Sequence, residues 1–433
     1  MSEVLIAGIG IGAMLLLMLA GIPLAAAMAL VGLAGTAAIA GPDAALSVLR
    51  QSPYDRATSY TLVVVPLFLL MGFAAARSGI TAKLFHSASL WCGHRRGGLA
   101  MATVLACAGF AAICGSSIAT AAAMCSIALP EMRKAGYPDS VSAGTIAGGA
   151  TLGILIPPSI IFVLYGLITE QSIGKLLVAG IVPGIIEAGL FIVAIAVLGM
   201  IAPADLPVTA RATWRSRLRS LGQVWEVAVI FFLVIGSVYL GLVTATESAA
   251  LGVGVVLLFG IVRRTLTLPR LAEALFETVV TSGMIFFVII GADIFGYFIT
   301  LSQMPARLAA SISALQVAPA AVLWCIIFIY IVLGALMDEL SMVLLTVPIF
   351  FPLVVSLGYD PIWFGVIIVV VCQIGMIAPP VGINVFVIAG MARNIPMGAI
   401  YRGVMPFLAA QLVLLVLLMA WPGVISLLTS NIR

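Results

Sequence analysis

Two stretches decide how this chain folds: Gly148-Gly149-Ala150-Thr151-Leu152-Gly153-Ile154-Leu155-Ile156-Pro157-Pro158-Ser159 and Gln373-Ile374-Gly375-Met376-Ile377-Ala378-Pro379-Pro380-Val381-Gly382-Ile383-Asn384. Each sets a diproline inside a long apolar run. Proline lacks an N–H and clashes with the preceding turn, and the residue before it leaves the helical region. Each run therefore predicts a helix that unwinds midway. The two runs are also related. A shift of 222 residues lays Pro130 on Pro352, Gly136-Tyr137 on Gly358-Tyr359, Gly153 on Gly375 and Pro157-Pro158 on Pro379-Pro380. A shift of 224 lays Gly72 on Gly296, Ser78 on Ser302, Ala82 on Ala306 and Leu84 on Leu308. The chain reads as two halves, 1–200 and 225–433, joined by a basic connector at 201–224.

The solvent of these runs follows from composition. Of 433 residues 63% are hydrophobic and 8% charged, with a mean hydropathy of +1.28. Soluble domains carry about 25% charged residues, so this chain belongs in a bilayer and contacts lipid. Its 43 Gly let helices approach closely, and its 22 Pro break several of them. The net charge of +4 marks no nucleic-acid partner, because the basic residues are scattered over short loops. Six cysteines show no CxxC or Cys/His pairing, so neither a disulfide nor a metal framework follows.

Apolar spans lie near 4–20, 24–40, 59–77, 140–168, 176–200, 225–241, 247–262, 278–299, 362–390 and 403–421. Two further stretches, 97–130 and 320–352, are interrupted by Gly115-Ser116-Ser117 and by Gly334 with Asp338-Glu339. Cytoplasmic loops concentrate Lys and Arg. Arg95-Arg96 and Arg133-Lys134 flank the first interrupted stretch, so both its ends belong on one side. Two full crossings would satisfy the same charges, and it is the Gly and polar tips that favour re-entrant helical hairpins for both interrupted stretches. On that choice Arg77, Lys83, Arg211, Arg215, Arg217, Arg219, Arg263, Arg264, Arg270, Arg393 and Arg402 are also inside, leaving Arg50, Arg56, Lys175, Arg307 and Arg433 outside. The expected fold is an all-α polytopic membrane protein: two inverted-topology repeats with about ten transmembrane helices and two re-entrant helical hairpins. Five crossings in each half invert the second half relative to the first, and alternating access is the natural function of such a pair.

Carbonyls freed at the two breaks need partners: a plain proline kink is capped by neighbouring helices, whereas two breaks at symmetric positions, each preceded by a hairpin, favour a sodium ion held by backbone oxygens plus a hydroxyl or amide. Thr151 and Gln373 are the side chains nominated for that role. The hairpin tips face them, with Ser116, Ser117 and Thr120 in the first and Asp338, Glu339 and Ser341 in the second. Ionisable groups at this depth are costly and usually functional. Asp338 can coordinate a cation, accept a proton or bind a polar group of a substrate. Glu187 and Asp293 also sit within apolar spans, where each could be paired across helices, and receive no role. His86 and His94 lie in a basic loop facing lipid headgroups. No nucleophile–base set and no phosphate loop is visible, so the chain is expected not to be an enzyme and not to hydrolyse ATP by itself. Asp338 and Glu339 as an acid–base pair on lipid would point about 100° apart on a helix. No arginine falls within an apolar span to clamp a carboxylate.

The runs Gly115-Ser116-Ser117-Ile118-Ala119-Thr120-Ala121-Ala122-Ala123, Leu129-Pro130-Glu131-Met132, Gly136-Tyr137, Gly153 to Ser159 and Pro379-Pro380-Val381-Gly382-Ile383-Asn384 resemble the large membrane subunit of TRAP (tripartite ATP-independent periplasmic) transporters. So do Gly21-Ile22-Pro23 and Thr246-Glu247-Ser248-Ala249-Ala250. The resemblance implies an elevator in the bacterial inner membrane. It would import an organic acid, such as a dicarboxylate or a sialic acid, together with two or more sodium ions. A periplasmic substrate-binding protein would deliver the substrate, and a small membrane subunit would brace the scaffold. It implies sodium ligands at Ser116, Ser117, Gly149, Thr151 and Pro157 and at Gly334, Asp338, Gln373, Gly375 and Met376. Substrate contacts fall at Ser117, Ser159, Asp338, Ser341 and Asn384. The family commonly has Thr-Pro-Pro at the second break, where this chain has Ala378. A stand-alone sodium- or proton-coupled anion symporter is the alternative.

Overall fold

The computed structural model describes residues 3–202, 206–307, 310 and 318–429. Leu308, Arg433 and residues 203–205 of the connector, used above, lie outside the described residues. Among the described residues all regular structure is helical. The first half contains α1 (Glu3–Leu19), α2 (Leu24–Ala40), α3 (Pro42–Ala57), α4 (Val64–Arg77), α5 (Ile80–Cys92), α6 (Gly98–Cys114), α7 (Ser117–Lys134), α8 (Asp139–Leu155), α9 (Ile160–Thr169), α10 (Ile173–Ala179) and α11 (Ile181–Ile201). The second contains α12 (Trp214–Tyr239), α13 (Ala245–Val262), α14 (Leu268–Leu301), α15 (Pro319–Gly334), α16 (Glu339–Ser356), α17 (Pro361–Ile377), α18 (Ile383–Met391), α19 (Met397–Ala420) and α20 (Gly423–Thr429). Eight helical runs among the described residues are long and apolar enough to cross a membrane, and α1, α2, α6, α15 and α17 are shorter apolar helices.

Local chemistry sets the breaks. Gly115 ends α6 in the left-handed region at φ 67°, and Ser116 then caps α7 by accepting from the Ala119 N–H. At the second interruption α15 stops at Gly334, and Asp338 caps α16 by accepting from the Ser341 N–H. α8 ends at Leu155 and α9 starts at Ile160 with Ser159 as its cap, while α17 ends at Ile377 and α18 starts at Ile383. The diprolines occupy both gaps, and both Pro–Pro peptide bonds are cis. α7 and α16 start and stop 222 residues apart, as do α8 and α17.

Several elements reach outside the expected spans, the short α20 among them. α3 and α5 are helices carrying Asp43, Arg50, Asp55, Arg56, Lys83 and His86, too polar to register as apolar runs. α12 begins at Trp214, so the second part of the connector is helical. Its first part is pinned: the Thr209 N–H donates to the Gly93 carbonyl at 2.9 Å, and the Tyr137 hydroxyl donates to the Pro207 carbonyl at 3.0 Å. The buried Arg217 guanidinium lies over the rings of Trp91 and Trp214 and meets His94 Nδ1 at 3.1 Å. His94 is thus engaged by protein, where the sequence pattern placed it against headgroups.

Glycine lets backbones touch where helices cross. A Cβ on Gly291 of α14 would lie 2.4 Å from the Ala25 carbonyl oxygen of α2, and one on Gly403 of α19 would lie 1.8 Å from the Ser140 carbonyl oxygen of α8. Acids and bases are matched across helices. Arg77 of α4 pairs with Glu273 and Glu277 of α14, and the buried Glu226 of α12 takes Arg263 and Lys83. Arg56 of α3 pairs with Asp293 of α14. Arg56 itself stands outside the apolar spans, and it meets the acid of one because the last turn of α3 lies against α14.

Candidate functional site

The two breaks and the two hairpin tips meet in the interior. The first tip rests on the first break. A Cβ on Gly115 would lie 2.4 Å from the Pro158 carbonyl oxygen, and one on Gly153 would lie 2.7 Å from that of Ser116. The second tip rests on the second break in the same way, since a Cβ on Gly375 would meet the Gly334 backbone at 2.5 Å. The paired glycines Gly334 and Gly375 therefore serve close approach between α15 and α17. Gly149 has a packing role too, its missing side chain facing Cys107 of α6 at 3.0 Å.

Ser117, Thr151, Ser159, Gln373 and Asn384 are all fully buried. Asn384, on the first turn of α18, donates from Nδ2 to Ser117 Oγ at 2.6 Å and to the Ala147 carbonyl at 3.3 Å. It ties the second half of the chain to the tip of the first hairpin. Gln373 of α17 donates from Nε2 to the Thr151 carbonyl at 2.8 Å, and the Thr151 hydroxyl donates to the Gly148 carbonyl at 2.7 Å. Thr151 and Gln373, nominated independently from the two breaks, are thus direct partners. Two amide oxygens in this cluster, Gln373 Oε1 and Asn384 Oδ1, are buried without a hydrogen-bond donor. Leaving such an acceptor unmatched costs about 1–3 kcal/mol.

Other nominated groups are committed to local structure. Ser159 Oγ donates to the Ile154 carbonyl at 2.5 Å and accepts from the Phe162 N–H, so it stitches the two sides of the first break. The Asp338 carboxylate accepts from the Ser341 N–H at 3.0 Å and from the Ser341 hydroxyl, which places both residues in one capping turn. The Ser116 carbonyl accepts the Thr120 hydroxyl at 2.7 Å. Pro157 sits in the first break and Met376 is buried beside Gly375.

Two residues were not picked out by the sequence. Glu187 of α11 is fully buried, and its carboxylate accepts from Gln373 Nε2 at 2.9 Å and from Gln411 Nε2 of α19 at 3.0 Å. Gln411 donates also to Thr151 Oγ1 at 2.8 Å. An acid inside an apolar span was the only available signal for Glu187, and Gln411 offered none. Asp293, left without a role for the same reason, is the partner of Arg56.

A separate cavity of about 520 Å³ lies between α3, α9, α14 and α16, lined by Arg56, Asp293, Tyr297, Thr300, Leu164 and Phe351 among others. None of the site residues nominated from sequence lines it. Among the described residues no group of three or more His, Cys, Asp or Glu could hold a metal ion. A cation here would be met by backbone, hydroxyl and amide oxygens.

A family model described as "Tripartite ATP-independent periplasmic transporter, DctM component" matches residues 11–424. The chain is 37% identical over 397 residues to the C4-dicarboxylate TRAP transporter large permease protein DctM of Pseudomonas aeruginosa, covering 89% of this chain and 92% of that protein. It is 31% identical over 366 residues to the sialic acid TRAP transporter large permease protein SiaM of Vibrio cholerae, covering 84% and 85%. Among solved structures, that of the Alcanivorax borkumensis YdaH transporter superposes with a TM-score of 0.63 at 17% identity, covering 88% of this chain and 89% of that one. At that identity the likeness is one of fold alone.

Proposed function

The chain belongs to the DctM family, the large multi-pass membrane subunit of tripartite ATP-independent periplasmic transporters, and on that ground we propose that it imports an organic acid by sodium symport. The substrate class is that of its relatives, a C4-dicarboxylate, a sialic acid or a similar carboxylate. A soluble periplasmic protein delivers the substrate and a small membrane subunit completes the tripartite assembly. The two halves form inverted repeats, and the hairpins with their broken helices move as one body against the remaining helices.

One observation carries the sodium reading. The two breaks are joined through Thr151 and Gln373, and around that joint lie the unmatched acceptors Gln373 Oε1 and Asn384 Oδ1. Acceptors without donors, beside carbonyls released from helices, favour a desolvated cation. Ser117, whose hydroxyl accepts from Asn384, belongs to the same cluster. No nucleotide is needed, and the sodium gradient supplies the energy.

Reconstituted with its partners, the protein is expected to accumulate substrate only under an inward sodium gradient. Accumulation that ignores sodium and follows a proton gradient would overturn the choice of ion. Ser117→Ala and Thr151→Ala should each raise the sodium concentration for half-maximal transport by about tenfold, the equivalent of about 1.4 kcal/mol in binding. Unchanged sodium dependence in both would remove them from the ion path. Full activity of the isolated chain would favour a stand-alone symporter instead.

A further inference from the structure

Glu187 is a fully buried carboxylate, and no Lys, Arg or His among the described residues lies within 4.0 Å of it as an ion-pair partner. An isolated buried carboxylate is expensive, and it persists where hydrogen bonds and an opposite charge offset its lost hydration. The hydrogen bonds are in place: Oε2 takes Gln373 Nε2 at 2.9 Å and Oε1 takes Gln411 Nε2 at 3.0 Å. The opposite charge is not supplied by a side chain.

The carboxylate and Thr151 together fix how both amides are turned. A carboxylate accepts only, so each glutamine must present its NH2 group to Glu187. Gln373 spends the rest of that group on the Thr151 carbonyl, and Gln411 spends its own on Thr151 Oγ1. The carbonyl oxygens of both amides are then left over, and both are buried without a donor. One negative charge and two unmatched acceptor oxygens surround the residue that joins the two breaks.

We propose that Glu187 is the fixed counter-charge of the transported sodium and that, acting through Gln373, Gln411 and Thr151, it holds their oxygens available to the ion. This rests on the sodium reading above and deepens it. Glu187 is a positioning residue: each of its oxygens already accepts an amide N–H, and its effect on the ion is exerted through the field of its charge and through the amides it holds together with Thr151.

The test is sodium titration of transport by the assembled transporter in proteoliposomes, at saturating substrate-loaded binding protein. Glu187→Gln keeps the shape and removes the charge. It should raise the half-maximal sodium concentration at least tenfold while the KM for substrate-loaded binding protein stays within twofold. Glu187→Asp should bring the sodium requirement back to within about threefold of the unaltered protein. Gln411→Ala, which leaves the carboxylate but frees one of its oxygens, should raise the requirement three- to fivefold. Wild-type sodium dependence in Glu187→Gln overturns this inference alone. Sodium-independent transport by the unaltered protein overturns the parent reading, and this inference with it. If Glu187→Gln does not fold, the sodium-induced rise in thermal midpoint of the detergent-solubilised Gln411→Ala protein decides. A rise as large as in the unaltered protein overturns the proposal, and a diminished one supports it.

Discussion

Gly375→Ala is expected to reduce transport at least a hundredfold while the protein still reaches the membrane. A Cβ at this position would lie 2.5 Å from the Gly334 carbonyl carbon, 2.6 Å from its Cα and 2.8 Å from its oxygen. All three are backbone atoms, so no side chain can turn aside, and α15 must move away from α17. Overpacking of this kind costs typically 1–3 kcal/mol in a core that can relax, and here relaxation separates the second hairpin tip from the second break. The transport assay with quantified membrane protein measures it. A variant that keeps more than half of wild-type transport would show that the tip need not sit against the break. A Gly334→Ala control is informative because its Cβ has more room: it would meet the Gly375 Cα at 3.2 Å and the flexible Met342 side chain at 3.2 Å. Its loss should be smaller.

Asn384→Ala should likewise abolish measurable uptake. Its amide NH2 is shared between Ser117 Oγ and the Ala147 carbonyl, so the truncation removes two buried hydrogen bonds at once. Removing one side of a buried hydrogen bond costs about 1–3 kcal/mol for each group left unmatched. It also disconnects α18 from the tip of the first hairpin. Ser117→Ala removes only one of those contacts, and its effect should be smaller. Residues in one network do not add, and the double variant Ser117→Ala/Asn384→Ala should be no worse than Asn384→Ala alone. Uptake rates of the three variants against the unaltered protein decide this. Strict additivity would mean that the two residues serve separate purposes.

What was legible in the sequence follows from how local each cause is. The helix breaks at 156–159 and 378–382 were readable because proline acts on its own turn and the residue before it. The hairpin tips were readable for the same reason, since Gly115 and Ser116 end one helix and cap the next within two residues. α3 and α5 escaped because Arg50, Arg56 and Lys83 interrupt the apolar pattern, while the acids that pair with Arg56 and Lys83, Asp293 and Glu226, stand on distant helices. Within the site, Thr151 and Gln373 were found from the breaks beside them. Glu187 and Gln411 were not, because what defines them is a contact across 224 residues of sequence. A lone acid in an apolar span shows that something must offset its burial, and only the fold says what.

The connector between the halves does more than link them. Thr209 is held to Gly93, beside the base of the first hairpin, and α12 begins five residues later at Trp214. A fully extended chain spans at most about 3.3–3.6 Å per residue, so this stretch can pay out no more than about 17 Å. While the Thr209 hydrogen bond holds, the loop at Gly93 cannot travel farther than that from the start of α12. The segment is a tether of limited reach, and while that hydrogen bond holds it caps the separation of the loop beside the first hairpin's base from the first turn of α12.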